Sequence, residues 1–421
     1  MSQITEAACL LQSGRAYPRR IGLRGPSGEL IFVGLRPEGF SIYWDDAPIC
    51  HFDLEGRWQR AFRDGVHYLK GLDGVTRSVE RPRVDGKLAL RRQNLTYTES
   101  SDLDAAIRDE AIELSAGIDS GRLVPIDPPA PAEPIGAADL VELLGRVADW
   151  DAAAWFAHRE RYAATYGPLP FLPPDLPNPV VLQKTLGHVP GHAFGVAAPW
   201  PRYVRSPAEF ADHARTVRDL VGRRSAQGKA IFLAGTDLFH LPPDAVCDAL
   251  ATARDAFAHI PGLEIHAFLE QVVPPLLDPE VWKSYAQSGL TRVTLGLASG
   301  NPLANQLEGT PPPGPEAGEL VAILKASPLT FGVAHLVGAG GKPAARGHVD
   351  DTAALVRSWG LGRETLVSLV DRRWLAGSAG EDALTDAEAD EQAAGLRRGI
   401  SGDGPSNGPR VIPYNPDKRW A

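Results

Sequence analysis

The stretch KAIFLAGTDLFHLPPDAVCDALATARDAFAHIPGLEIHAFL, Lys229 to Leu269, reads as strand, helix, strand. Its two ends are short apolar runs bounded by glycine and proline, the mark of a buried strand. Its middle is amphipathic and opens on Pro243 before Asp244, a helix-start signature. The same alternation continues on both sides. Apolar strands stand at PVVLQKTL, KAIFLAG, LEIHAFL, TRVTLGLA, TFGVAHLVG and ETLVSLV, separated by amphipathic helices such as SPAEFADHARTVRDLVGRR, where Ser206 before Pro207 is the cap, and DPEVWKSYAQSG. Repeated strand-then-helix units predict a parallel sheet with helices outside it. If that sheet closes partly on itself, ligands belong at the C-terminal ends of its strands.

Upstream the pattern is different. From Tyr17 to Thr98, short runs such as ELIFVGL, FSIYW, ICHFDL and KLALRRQNLTY read as strands, DDAP as a turn, and GRWQRAFRDG as a helix or irregular excursion. DLDAAIRDEAIELSAGI then takes helical spacing. The expected organisation is a small β-rich domain with a trailing helix over 1–123, a proline-rich linker over 124–136 and a helical connector over 137–177. The β/α region over 178–375 follows, then a C-terminal helix and tail over 376–421, with PRVIPY as a candidate last strand. Five prolines between Val124 and Gly136 underlie the linker reading, since proline fits neither a helix interior nor a central strand.

Length and composition bound the function. A chain of 421 residues with 43% hydrophobic content can bury a large core. Its net charge of −9 argues against nucleic acid or an anionic membrane as a general partner. Its beginning, MSQITEAACLLQSGR, does not read as a secretory signal, and no long uninterrupted apolar run occurs. Cys9, Cys50 and Cys247 are odd in number and far apart, which fits a reducing cytoplasm and excludes a sequence-local thiolate metal site.

In CHFDLEGRW, alternation places His51, Asp53, Glu55 and Arg57 on one face of a strand, either as a ligand-binding row or as paired surface charges. Phe40, Tyr43, Trp44, Phe52 and Trp58 read as core aromatics rather than a platform for bases. Neither glycine-rich stretch, GPSGEL or LVGAGGKP, has the phosphate-loop arrangement, and there is no G-x-S-x-G elbow or H-E-x-x-H zinc helix.

The β/α region, from Pro179 to Val370, resembles the radical SAM superfamily, whose core is a six-unit parallel (β/α) partial TIM-type barrel. The resemblance rests on LQKTLGHVPGHAFG as first strand and loop, IFLAGTDLFHLPP as second-strand segment, GLTRVTLGLASGN as fourth and FGVAHLVGAGG as fifth. In that family the loop after the first strand carries three cysteines that hold a [4Fe–4S] cluster. The alignment puts His188, His192 and Gly195 at their places. The resemblance further implies that Gly235, Thr236 and Asp237 meet the methionyl amine of S-adenosylmethionine. Ser299, Gly300 and Asn301 fall near its ribose and carboxylate, and Gly338 and Gly340 beside its adenine. Ala298 stands where an acidic residue is often found.

Two imidazoles and a glycine supply no thiolate, so a [4Fe–4S] cluster is not expected, nor the radical chemistry that draws its electron from one. Three functions remain open. The first is an accessory, non-catalytic binder of S-adenosylmethionine or a related small ligand. The second is an enzyme built on a mononuclear metal held by His188 and His192, with Asp237 or His335 as third ligand. The third is a scaffold without small ligand. A protein partner is compatible with each.

Overall fold

The computed structural model describes residues 18–44, 48–80, 82–84, 87–88, 91–128, 130–169, 172, 176, 179–187, 190–194, 201–225, 229–235, 237–375, 382–401 and 408–414. The chain forms two compact units, one of residues up to 164 together with 220–227, the other of residues 165–219 and 228–420. Among the described residues no helix is long and apolar enough to cross a membrane.

The first unit is an up-and-down antiparallel meander. Its strands are β1 (Arg19–Arg24), β2 (Leu30–Arg36), β3 (Gly39–Trp44), β4 (Ile49–Asp53), β5 (Trp58–Arg63), β6 (Val66–Lys70), β7 (Thr76–Glu80) and β8 (Arg91–Asn94), each paired with the one before. The segment GRWQRAFRDG, expected to be helical or irregular, contains β5. The turn that ends it, Asp64-Gly65, has φ of 51° and 78°, the left-handed pair that matches a hairpin to strand twist. The Asp-Gly dipeptide was therefore the readable signal. In CHFDLEGRW the strand ends at Asp53 and the chain turns, so the expected alternating row does not form. Instead Arg57 Nε donates to Asp53 Oδ2 across the turn at 2.7 Å. The DDAP turn lies largely outside the described residues, but Trp44 N donates to Pro48 O across it at 3.0 Å.

The proline-rich segment 124–136 is part of the sheet edge. β9 (Val124–Ile126) runs antiparallel to β1, and Glu133–Pro134 lies parallel to it. Proline is tolerated there because an edge strand has one row of groups outside the ladder. Helices α1 (Tyr97–Asp119), α2 (Ala137–Ala148) and α3 (Ala152–Thr165) supply Ile107, Leu140, Leu144 and Trp155 to one core with Leu23, Ile42, Cys50 and Trp58. The expected connector is thus largely core of the first unit. Inside that core Lys70 Nζ meets Asp104 Oδ1 at 2.8 Å and Oδ2 at 2.9 Å, and Thr76 and Ser100 at 3.2 Å each.

The second unit carries a seven-stranded parallel sheet. Its strands are β10 (Val180–Gln183), β11 (Ala230–Ala234), β12 (Glu264–Leu269), β13 (Leu290–Gly296), β14 (Thr330–Val337), β15 (Leu366–Asp371) and β16 (Arg410–Pro413), adjacent in sequence order. Strands buried on both faces explain their uninterrupted apolar character; β11 is buried at every position. The sheet is bordered in sequence by α4 (Pro207–Val221), α5 (Pro243–Ala256), α6 (Pro279–Ser288), α7 (Pro302–Glu308), α8 (Pro315–Ala326), α9 (Gly341–Ser358) and α10 (Asp386–Ser401). Ser206 caps α4 as expected: Glu209 N donates to its Oγ at 3.3 Å, and Glu209 Oε2 accepts from Ser206 N at 2.8 Å. The tail expected after 375 contributes α10 and β16, a seventh strand beyond the six strong apolar runs.

Candidate functional site at the strand C-terminal ends

Parallel pairing brings the C-terminal ends of β10 to β16 to one edge of the sheet. His188, Gly195 and Thr236 lie outside the described residues. The other residues singled out from the sequence fall into two groups along that edge.

The first group sits over β11 and β12. Glu270, directly after β12, accepts at Oε1 from the backbone N–H of Ala193 at 2.7 Å and of Phe194 at 2.8 Å. Gln271 Nε2 donates to Gly191 O at 3.1 Å. Both tie the loop after β10 to the end of β12. His192 Nδ1 lies 3.9 Å from Glu270 Oε2, and its ring centroid is 5.7 Å from that of His240. Burial pushes the Glu270 carboxyl up to about 8 against the pull of the two N–H donors. Burial likewise lowers His240, while Asp237 opposes the shift. Asp237 is held by Arg202 Nε at 2.7 Å. Gly235 has φ of 137°, and a Cβ there would stand 2.1 Å from Thr185 Oγ1, so only glycine fits.

The second group sits over β13 and β14. His348 on α9 faces Leu336 O with Nε2 and Ser299 Oγ with Nδ1, at 2.8 and 2.7 Å. A carbonyl can only accept, so Nε2 carries the proton and Nδ1 accepts from the Ser299 hydroxyl. Asn301 N donates to Ser299 Oγ at 2.8 Å and Gly300 N to Thr352 Oγ1 at 2.8 Å. Gly338 N donates to Gln392 Oε1 at 2.6 Å and Gly340 N to Glu308 Oε1 at 2.8 Å. Glu308 also binds Arg372 Nε at 2.9 Å. The fully buried His335 donates from Nδ1 to Leu297 O at 2.8 Å.

Phe194 lies between the groups. Its buried ring meets Phe268 at 5.4 Å, edge to face, and a Cβ on Gly296 would stand 3.1 Å from it. The chain's own side chain thus covers the ends of β12 and β13.

His192 therefore neighbours Glu270, and neither suggested third metal ligand joins it: Asp237 is paired with Arg202 and His335 with Leu297 O. Among the described residues no three His, Cys, Asp or Glu side chains are placed to share a metal ion. Glu270 and Glu308 were not picked out from the sequence, whereas His348 reads there as a lone histidine of the structural, hydrogen-bonded kind. Glu270 was the more accessible of the two acids, being immediately after the apolar run LEIHAFL, at the position where the strand-end rule puts ligands.

A Glu270→Gln variant should show what that carboxyl costs. Its folded-state pKa lies above the unfolded value, so the folded chain binds more protons between about 4.5 and about 8 and loses stability as pH rises through that window. The glutamine keeps an acceptor for Ala193 and Phe194 and removes the ionisation. Denaturant midpoints between pH 6.5 and 8 should fall for the parent and stay level for the variant; parallel curves would mean the carboxyl is already ionised.

No known family profile matches the chain, and no curated relative does. Solved structures do match. Coproporphyrinogen III oxidase from Escherichia coli, a radical SAM enzyme, is 14% identical with a TM-score of 0.40, over 60% of this chain and 57% of that one. The radical S-adenosylmethionine methyltransferase TsrM from Kitasatospora setae, with cobalamin and a [4Fe–4S] cluster bound, is 15% identical with a TM-score of 0.32, over 45% of this chain and 34% of that one. HydG, a maturase of the [FeFe]-hydrogenase, is 12% identical with a TM-score of 0.36, over 71% and 64%. The chain thus spans between about a third and two thirds of these neighbours' lengths.

Proposed function

We propose that the second unit is a radical-SAM-like partial barrel of six β/α units, edged by β16, which binds a small ligand without an iron–sulfur cluster. The observation that carries this reading is the donor set around the loop after β10. The described groups there are the His192 imidazole and the Glu270 carboxyl, whose Oε1 is already taken by Ala193 and Phe194. A [4Fe–4S] cluster needs soft, anionic thiolates. Cys50 is in the first unit's core and Cys247 lies on α5. The residues do not fit the cluster.

S-adenosylmethionine or a related nucleoside remains the ligand class that the sequence resemblance favours. The amides of Gly300, Asn301, Gly338 and Gly340 already donate within the chain, so a ligand there competes with internal bonds and binds weakly. Glu270 Oε2 is buried and has no hydrogen-bond partner among the described residues; a cationic group there gains a charge-assisted bond only by displacing the proton that burial holds on the carboxyl up to about pH 8.

The test is anaerobic reconstitution with iron and sulfide, read by absorption and electron paramagnetic resonance, beside thermal melts with S-adenosylmethionine and its demethylated product. The expected result is no cluster in the parent, a cluster in the His188→Cys, His192→Cys, Gly195→Cys variant, and a melting rise that grows with the logarithm of ligand excess. Cluster uptake by the parent together with reductive cleavage of S-adenosylmethionine overturns the proposal. No melting shift with either compound leaves the scaffold reading in its place.

The 3.9 Å approach of His192 to Glu270 favours one second reading, a mononuclear metal held by His188, His192 and Glu270. Elemental analysis of untagged protein decides it; absence of stoichiometric metal removes it.

A further inference from the structure

With sulfur donors, the loop after β10 would take its shape from the cluster it ligates. In this chain the end of β12 shapes it instead. Glu270 Oε1 accepts from the N–H groups of Ala193 and Phe194 at 2.7 and 2.8 Å, and Gln271 Nε2 donates to Gly191 O at 3.1 Å. Gly191 has φ of 86°, and a Cβ there would stand 2.6 Å from Gln271 Nε2, so a glycine is what admits that side chain. Phe194 is fully buried, with its ring against Phe268.

The cost of this arrangement points to the role of Glu270. Its carboxyl is buried, which is unfavourable unless hydrogen bonds offset it. Among the described residues Glu270 makes two hydrogen bonds, both to the loop. Its Oε2 is buried without a hydrogen-bond partner there, and His192 Nδ1 comes no closer to it than 3.9 Å. Among the described residues neither a strand neighbour nor a lysine or arginine holds the side chain, so its place is set by the two loop amides.

We propose that Glu270 is a positioning residue that stands in for an iron–sulfur cluster: its carboxyl takes backbone donors that cluster sulfurs would take, and it holds residues 190–194 in a shape that disfavours one. The inference rests on the cluster-free reading of the loop and adds a residue to it. A cluster's sulfurs draw hydrogen bonds from the protein around them, and an N–H directed at Glu270 Oε1 is not available to them. Returning cysteines to the loop therefore restores the ligands but leaves these two donors occupied.

The experiment adds Glu270→Leu to the His188→Cys, His192→Cys, Gly195→Cys variant and measures iron and sulfide bound per chain after anaerobic reconstitution at graded iron concentrations. The expected result is half-saturation at about tenfold lower iron with Glu270→Leu than without it, the worth of about one hydrogen bond. Unchanged or reduced uptake overturns the proposal, since a carboxyl that only braced the fold would lower uptake when removed. In the parent background, hydrogen–deuterium exchange of the peptide covering 190–194 reads the positioning itself. Glu270→Leu should speed that exchange about tenfold, while Glu270→Gln, which keeps an acceptor, should leave it slow. Glu270→Asp, one methylene shorter, draws the carboxyl back from the loop and serves as the second variant in both backgrounds, with denaturant midpoints to show that each is folded. Exchange as slow as the parent's in the folded Leu or Asp variant also overturns the proposal. Cluster uptake by the parent overturns this inference and the cluster-free reading together, whereas a cluster-free parent with unchanged uptake in the cysteine background overturns this inference alone.

Discussion

Lys70→Ala is expected to cost the first unit about 3–5 kcal/mol, a large part of a domain's whole stability. The ammonium is fully buried, between the rings of Trp155 at 4.3 Å and Trp58 at 5.1 Å, with Asp104 as its counter-ion. Burial lowers the Lys70 pKa and raises that of Asp104, and each partner's charge resists the other's shift. Removing the lysine leaves the Asp104 carboxylate buried with Trp58 Nε1, at 2.6 Å, as its remaining hydrogen-bond donor. Asp104→Ala is expected to cost a similar amount by stranding the ammonium. The pair replaced together, Lys70→Met with Asp104→Leu, should recover most of the loss, because apolar groups of like volume need no compensation. Denaturant midpoints at constant slope measure all three. A single-variant loss under about 1 kcal/mol would mean that water reaches the pair.

The second large effect is acid sensitivity of the second unit. Burial holds His335 down at about 3, with His348 adding to the shift, and holds His348 down at about 4. Both folded pKa values lie below the unfolded value of 6.5, so between them the unfolded chain binds more protons. Their contribution to stability is complete above pH 6.5 and is lost as pH falls towards 4 and 3. Each group contributes about 1.4 kcal/mol per pH unit where it is protonated only in the unfolded chain, so the pair gives roughly 2–3 kcal/mol per unit. His213, held down at about 3 by burial, acts in the same direction. Glu270 acts oppositely above pH 4.5, which puts the stability maximum near pH 6.5. His335→Leu should flatten the acid limb even though it loses the bond to Leu297 O. An acid limb of unchanged slope in that variant would show that the imidazole is already charged in the fold.

The strand-and-helix alternation from Lys229 onward was legible because each parallel strand is buried on both faces and must be continuously apolar. The meander was legible in part. Asp64-Gly65 is a hairpin signal that the reading of GRWQRAFRDG as a helix or irregular excursion passed over, and the polar side chains of WQRAFR hid a strand that sets Arg60 beside Phe62 on one face and pairs Arg63 with Glu110 on the helical side. The proline-rich segment misled for a related reason: a local rule excludes proline from central strands, and only the assembled sheet shows that these residues are at its edge.

The strand-end site divides the same way. That the loop after β10 lacks sulfur donors is written in His188, His192 and Gly195. That Glu270, some eighty residues from that loop, grips the N–H groups of Ala193 and Phe194, and that Ser299 is spent on His348, could not be read from spacing. Chemical identity, period and local turn geometry are properties of neighbours in sequence. Which buried donor finds which acceptor depends on the order of strands in the sheet, because burial forces each polar group to pair with whatever the fold sets beside it.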